Sequence, residues 1–190
     1  MTTFSSTPPR KASLQGRPAV FLDRDGTLIE DDGYLREPED MRMYDSTVEA
    51  LRLLRESFLL FIVTNQVGVA KGLLTMEDVH RVNDGLVRRL ASEGIEIVEV
   101  FVCPHATEDN CPCRKPKPFF LHQAADRYGI DLARSFTVGD HLHDVDFGTN
   151  AGAKGIFVLT GHGSHHIDEL SADTLVAKDI LDAAQMILKD

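Results

Sequence analysis

Five short runs of apolar residues recur along the chain: Ala19–Leu22, Leu59–Val63, Val98–Val102, Ser135–Val138 and Ile156–Leu159. They are continuous rather than alternating, so each predicts a strand covered on both faces. Thr174–Val176 reads as a sixth, short strand. Helix signals fill the gaps. Asp45 reads as an N-cap before Val48, Leu51 and Leu54. Thr75 with Asp78 resembles a capping box, with Asp in place of Glu or Gln. Val79, Val82, Leu86 and Leu90 follow at helical spacing, and Gly94 reads as the stop. Pro118 suits a first turn before Leu121, Ala124 and Ala125. Strands alternating with helices predict an α/β protein with a doubly wound parallel sheet. In such a sheet the ligand site lies beyond the carboxyl ends of the strands.

The chain's 190 residues, 43% of them hydrophobic and 26% charged, suit one domain with a full core and no disulfide support. Residues 1–16, rich in Ser, Thr, Pro, Lys and Arg, read as a disordered leader, and 17–190 as a single domain. Met1–Gly16 lacks the apolar centre of a signal peptide, and no run approaches the ~20 residues of a membrane span. Twenty Lys+Arg against thirty Asp+Glu give a net charge of −10. That speaks against nucleic acid as a partner, but not against a small anion met by a few local cations. Three cysteines make a poor disulfide framework, so the cytoplasm is the expected compartment. No apolar stripe demands a partner chain, so a monomer is expected.

Polar and ligating residues stand at the strand ends. Asp23-Arg24-Asp25-Gly26-Thr27 follows the first, Thr64-Asn65-Gln66 the second, Cys103-Pro104-His105 the third, and Gly139-Asp140, with Asp144 four residues on, the fourth. Asp23 and Asp25 can approach one point if the backbone turns after Asp23, and Gly26 permits such a turn. Asp140 would add a third carboxylate. Clustered carboxylates repel and need a cation; oxygen ligands alone select a hard ion, most simply Mg²⁺. A plain turn with solvated side chains suits Asp31 or Asp32 better than Asp23. All three cysteines fall in Cys103-x-His105 and Cys111-x-Cys113. Three thiolates and an imidazole complete a tetrahedral Zn²⁺ set with no open position, hence a structural ion just before Arg114 and Lys115. His162, His165 and His166 form a late cluster that could hold a metal, but Gly161 and Gly163 favour reading it as a solvated surface loop.

Asp23-Arg24-Asp25-Gly26-Thr27-Leu28 resembles the D-x-D-G-T-[LV] signature of the haloacid dehalogenase (HAD) superfamily of phosphotransferases. The resemblance continues in order over about residues 18–160. Thr64 matches the family's second motif, Lys115 its basic third, and Gly139-Asp140 with Asp144 its acidic fourth. Gly33-Tyr34, Thr64-Asn65-Gln66, Cys103-Pro104-His105 and Cys113-Arg114-Lys115-Pro116 add a likeness to the heptose bisphosphate phosphatase subfamily, a near relative of the histidinol-phosphate phosphatase domain. No insertion between Gly26 and Asp45, or between strands three and four, is long enough for a separate cap. The resemblance therefore implies a Rossmann-like HAD fold of the capless type with a zinc-binding loop. In two places the chain departs from the subfamily: His141 stands where Lys is common, and Val67 where Ser is common.

The resemblance implies a Mg²⁺-dependent phosphomonoesterase working through an aspartyl-phosphate. Asp23 would be the nucleophile and Asp25 the general acid and base, with Thr64 and Lys115 clamping the phosphoryl oxygens. Mg²⁺ would be held by Asp23, Asp140 and the backbone carbonyl of Asp25, with Asp144 orienting Lys115 or a metal water. Asp31, Asp32, Gly33, Tyr34, Asn65, Gln66, Arg114 and His141 would meet a small phosphorylated sugar. The expected reaction is removal of the 7-phosphate of D-glycero-D-manno-heptose 1,7-bisphosphate, in the synthesis of nucleotide-activated heptose; the alternative is histidinol phosphate or another small sugar phosphate. A phosphomutase of this fold usually carries a cap. A non-catalytic zinc module leaves Asp23 and Asp25 unexplained, and no G-x-x-x-x-G-K-[ST] loop marks a nucleotide triphosphatase.

Overall fold

A computed structural model describes residues 15–190. The leader read over residues 1–16 thus lies outside the described residues as far as residue 14. Gly16 is already tied to the domain, its N–H donating to the Gly129 carbonyl at 2.7 Å. Six strands form one parallel sheet: β1 (Ala19–Leu22), β2 (Leu59–Asn65), β3 (Glu99–Cys103), β4 (Phe136–Gly139), β5 (Lys154–Val158) and β6 (Leu175–Ala177). Their order is β3-β2-β1-β4-β5-β6, and every pairing is parallel. The helices are α1 (Thr47–Leu54), α2 (Val67–Ala70), α3 (Met76–Ser92), α4 (Phe119–Tyr128), α5 (Leu142–Thr149) and α6 (Ile180–Ile187).

The continuous apolar strands divide their side chains between two cores. Val20, Leu22, Leu60, Ile62, Val138, Ile156 and Val158 face one side, where Leu51 and Leu54 of α1, Leu86 and Leu90 of α3, and Ala183, Ala184 and Ile187 of α6 cover them. Ala19, Phe21, Leu59, Phe61, Val63 and Phe101 face the other, under Phe120, Leu121 and Ala124 of α4 and Phe147 of α5. Period-two alternation of the pleat produces this division, and it is why both sets must be apolar.

Helix α3 begins as its spacing predicts. Asp78 N–H donates to Thr75 Oγ1 (3.1 Å) and Thr75 N–H donates to Asp78 Oδ2 (2.9 Å), so the shorter Asp closes the box. The start of α1 differs from the expectation. Ser46, not Asp45, is the N-cap, and Thr47 anchors the turn by donating from Oγ1 to the Leu28 carbonyl at 2.8 Å. Among the described residues no helix is long and apolar enough to cross a membrane. Strand order reverses between β1 and β4, β2 and β3 being added on one side and β5 and β6 on the other, so the crevice for a ligand opens where Asp23 and Asp140 leave the sheet.

Candidate active site

Asp23 N–H donates to the Val138 carbonyl of β4 at 2.9 Å, so the chain stays on the sheet one residue past β1. It then turns. Gly26 has φ +78°, in the left-handed region. A Cβ there would strike the Asp140 carboxylate, so glycine also permits the close approach of β4's loop. One carboxylate oxygen each of Asp23, Asp140 and Asp144 lie within 4.8 Å of one another. Lys115, 4% exposed, lies beneath the cleft. Its Nζ donates to Asp23 Oδ1 (2.5 Å) and the Val63 carbonyl (2.9 Å) and pairs with Asp144 Oδ1 (2.6 Å).

Burial pushes the Asp23 carboxyl well above the usual carboxylate range. Lys115 pulls it back, while Asp144, Asp140 and Asp25 add repulsion. Burial is the largest single influence on Asp144 and opposes its ionisation, but Lys115, with His143 and His141, outweighs it and holds Asp144 below its ordinary value. Burial disfavours the Lys115 ammonium in turn; Asp144 and Asp23 together outweigh that and hold it above its ordinary value. Three clustered carboxylates therefore share one ammonium, and Asp23 is the one whose ionisation is least favoured without a further cation. That is the donor chemistry of a hard divalent cation.

Asp25 stands in a different setting. The buried Arg24 donates from Nε (3.1 Å) and Nη2 (3.0 Å) to Asp25 Oδ1, and from Nη1 to Asn83 Oδ1 of α3 at 2.7 Å. Gln66 Nε2 donates to Asp25 Oδ2 and to Thr64 Oγ1, both at 2.8 Å. A carboxylate held from two sides cannot rotate, and its remaining surface faces the cleft. Beside it, Asn65 Nδ2 is buried without a hydrogen-bond partner among the described residues.

These groups form the floor of a cleft of about 310 Å³. Asp31, Gly33 and Tyr34 line one wall; Asn65, Gln66, Val67 and Gly68 line a second; Arg114, His141, His143 and His162 close the rest. A Cβ on Gly68 would strike the Tyr34 ring, so that aromatic wall rests directly on the turn into α2. His141 Nδ1 and Asp140 Oδ1 are 2.9 Å apart, and this hydrogen bond holds the imidazole above its ordinary pKa. Burial pushes His143 down to about 4.

Next to the cleft, Cys103, His105, Cys111 and Cys113 converge. The Sγ atoms of Cys103 and Cys111 are 3.6 Å apart, those of Cys103 and Cys113 3.4 Å, and those of Cys111 and Cys113 3.6 Å. His105 Nδ1 lies 3.4 Å from Cys113 Sγ and 3.7 Å from Cys103 Sγ. A tetrahedral zinc with bonds of ~2.3 Å to sulfur has edges of about 3.8 Å, so the cluster is compatible with that ion. Burial pushes the Cys113 thiol up to about 12 and raises Cys103 as well, whereas burial of Cys111 is outweighed by hydrogen bonds that lower it, so two protonated thiols would crowd together if no cation neutralised them. Arg114 Nη1 donates to the His105 carbonyl at 3.3 Å, which ties a cleft residue to this loop.

The HAD-hydrolase-like family matches residues 112–183. The D-glycero-beta-D-manno-heptose-1,7-bisphosphate 7-phosphatase of Yersinia pestis is 37% identical over 169 residues, covering 84% of this chain and 89% of that protein. The Escherichia coli K12 protein of the same name is 35% identical over 182 residues, covering 90% and 94%. The chain belongs to the haloacid dehalogenase-like hydrolases. The fold agrees. The crystal structure of D,D-heptose 1,7-bisphosphate phosphatase from B. bronchiseptica, complexed with magnesium and phosphate, matches with a TM-score of 0.83 at 32% identity. The match covers 90% of this chain and 98% of that one. HAD phosphatases use Mg²⁺, and the Asp23–Asp140–Asp144 cluster, with its excess charge, suits that ion.

Of the residues expected to meet substrate in this HAD-like hydrolase, Asp31, Gly33, Tyr34, Asn65, Gln66, Arg114 and His141 line the cleft. Asp32 does not: Arg42 engages its carboxylate on the surface, with Nη2 2.5 Å from Oδ1. His162 is exposed, as a solvated loop predicts, but its loop is not loose. Gly161, at φ +55°, packs against Asp140, and His162 N–H donates to Asp140 Oδ2 at 2.8 Å, which places the imidazole on the cleft wall. Arg24 was missed, and so was His143. Application of the strand-end rule to β5 and the start of α5 points to both His162 and His143.

Proposed function

We propose that this chain removes the 7-phosphate of D-glycero-D-manno-heptose 1,7-bisphosphate by way of an aspartyl-phosphate on Asp23. The contrast between Asp23 and Asp25 carries this reading. Two carboxylates two residues apart sit in opposed environments, one against Lys115 in a charged cluster, the other pinned by Arg24 and Gln66 at the cleft floor. Two carboxylates held so differently can divide the work of nucleophile and acid once a divalent cation in the Asp23–Asp140 cluster favours the ionised form of Asp23. Asp23 attacks phosphorus. Asp25 protonates the leaving alkoxide, then takes a proton from the water that opens the aspartyl-phosphate. Asp23, Asp140 and the Asp25 carbonyl would hold Mg²⁺, which would screen Asp23 from the incoming dianion and neutralise charge in the transition state. Lys115, oriented by Asp144, and Thr64 and Asn65 supply donors to the phosphoryl oxygens. The zinc ion is structural, the cell compartment is the cytoplasm and the working unit is a monomer.

The names of the relatives support the heptose bisphosphate, and Arg114 on the wall offers a cation to its second phosphate. A phosphate-release screen with Mg²⁺ over the heptose bisphosphate, sugar monophosphates and histidinol phosphate tests this. Turnover of histidinol phosphate alone would overturn the substrate; no release from any of them would overturn the hydrolase reading. Arg114→Ala should raise KM for the bisphosphate by about tenfold, the worth of one charge-assisted contact, and leave a monophosphate nearly unchanged. Equal changes for both would remove the assignment.

Asp25→Asn should slow alkyl phosphates by roughly 10²–10⁴-fold. Aryl phosphates, whose leaving groups need less protonation, should suffer less in the first step; identical losses in single-turnover measurements would count against Asp25 as the acid. For the zinc loop, Cys111→Ser should release the metal and leave the α/β core folded: the three cysteines are buried at the edge of one core, but Phe120, Leu121, Ala124 and Phe147 still cover that face and the other core does not involve the loop. Arg114, bonded to the His105 carbonyl, and Lys115 next to it should then lose their positions, lowering kcat/KM by about 10²-fold. Elemental analysis, circular dichroism and phosphatase rate check this together, and full activity without zinc would refute it.

A further inference from the structure

Four of the chain's eight histidines gather at one lip of the cleft. His141 and His143 come from the start of α5, His162 and His166 from the loop after β5. The His141 ring is centred 4.9 Å from that of His143, 5.4 Å from that of His162 and 5.5 Å from that of His166. Imidazoles that share one ion through bonds of ~2.1 Å at tetrahedral angles have ring centres about 5 Å apart. One ligand atom each of Asp140, His141 and His162 already lie within 4.8 Å of one another. Carboxylates surround the group: Asp140 Oδ1 is 2.9 Å from His141 Nδ1, Asp31 Oδ2 is 3.8 Å from His162 Nδ1, and Glu169 Oε1 is 2.7 Å from His166 Nδ1. The His162 side chain is 51% exposed, so it can turn toward an ion without disturbing the core.

We propose that Asp140, His141 and His162 form a second metal site at the mouth of the cleft, one that takes a divalent transition-metal ion of the Zn²⁺ class and slows the hydrolase when filled. Imidazole nitrogen selects such ions over Mg²⁺, whereas the all-oxygen cluster below prefers the harder ion. The incoming ion takes the place of the proton between His141 Nδ1 and Asp140 Oδ1. Inhibition follows from the shared ligand, since Asp140 then serves the wrong ion at the edge of the reacting centre. The four-ligand thiolate cluster remains the tighter site because it is closed.

Metal binding is read without substrate, so its failure is distinct from failure of the proposed hydrolysis; only the inhibition rests on that reading. Protein with its cysteine cluster zinc-loaded and with Mg²⁺ in excess is titrated with Co²⁺, whose visible spectrum reports imidazole ligation. In parallel, bound zinc is counted after exposure to Zn²⁺. Wild type should gain about one further equivalent, to a total of about two per chain. His162→Gln should lose that equivalent and the imidazole spectrum, and should need at least about tenfold more Zn²⁺ for half-inhibition. His141→Asn should show the same loss of binding. A further equivalent kept by both variants would overturn the proposal, because the ion would then sit among Asp23, Asp140 and Asp144. So would a wild type that takes up no further equivalent.

Discussion

Asp23→Asn is expected to lower kcat by on the order of 10⁴-fold or more, yet to leave the protein at least as stable as wild type. The amide has the shape of the carboxylate but is not a useful nucleophile. Its effect on stability has the opposite sign. Asp23 is buried, and Asp144, Asp140 and Asp25 all oppose its charge. A neutral side chain removes that repulsion, and its carbonyl can still accept from Lys115. Thermal melts in a chelator should therefore show an unchanged or higher Tm in the inactive variant, an exchange of function for stability common at active sites. Activity within tenfold of wild type would sink the nucleophile. A Tm several degrees lower would show that the Lys115 pair outweighs the cluster's repulsion.

The parts of the fold legible in the sequence are those that depend on apolar cover. Ala19–Leu22 is read to the residue because both its faces are packed. The reading of β2 stops at Val63, whereas the strand continues to Asn65 because Thr64 and Asn65 pair with Val102 and Cys103 of β3. Backbone pairing of polar residues leaves no trace in hydropathy. The same holds for β5, which begins at Lys154 through pairing with Phe136. In the site, Asp23, Asp25, Thr64 and Asp140 are legible because they stand just past or at the end of an apolar run, whereas Lys115, in the loop between β3 and α4, is marked only by the family resemblance. Arg24 reads as a spacer between two carboxylates. A buried arginine runs against residue preference; its pairing with Asp25 and its bond to Asn83, 59 positions away on α3, account for it, and the second has no local trace in the sequence. His162 is concealed by its glycines, which suggest a loose loop; Gly161 instead permits close contact with Asp140.

Lys115→Met is expected to be the most disruptive substitution, removing activity and about 3–5 kcal/mol of stability at neutral pH. Methionine fills much of the space, so a cavity contributes little. What remains is Asp23 and Asp144, both buried, with no ammonium between them. In wild type Asp144 lies below its ordinary value because Lys115, helped by His143 and His141, outweighs its burial. A depressed carboxylate contributes stability above the unfolded pKa of ~3.9 and loses it as pH falls through the folded value. Without Lys115 burial dominates instead, and the pKa of Asp144 rises. The variant's deficit should therefore be widest near pH 7 and should narrow towards pH 4, as the orphaned carboxylates take up protons. Urea unfolding at several pH values, in a chelator, measures this. Mg²⁺ should restore part of the lost stability at pH 7, since a cation in the carboxylate cluster replaces some of the missing charge. A deficit independent of pH would mean that packing, not charge, is what Lys115 supplies. No effect of Mg²⁺ on the variant would place the divalent ion away from Asp23.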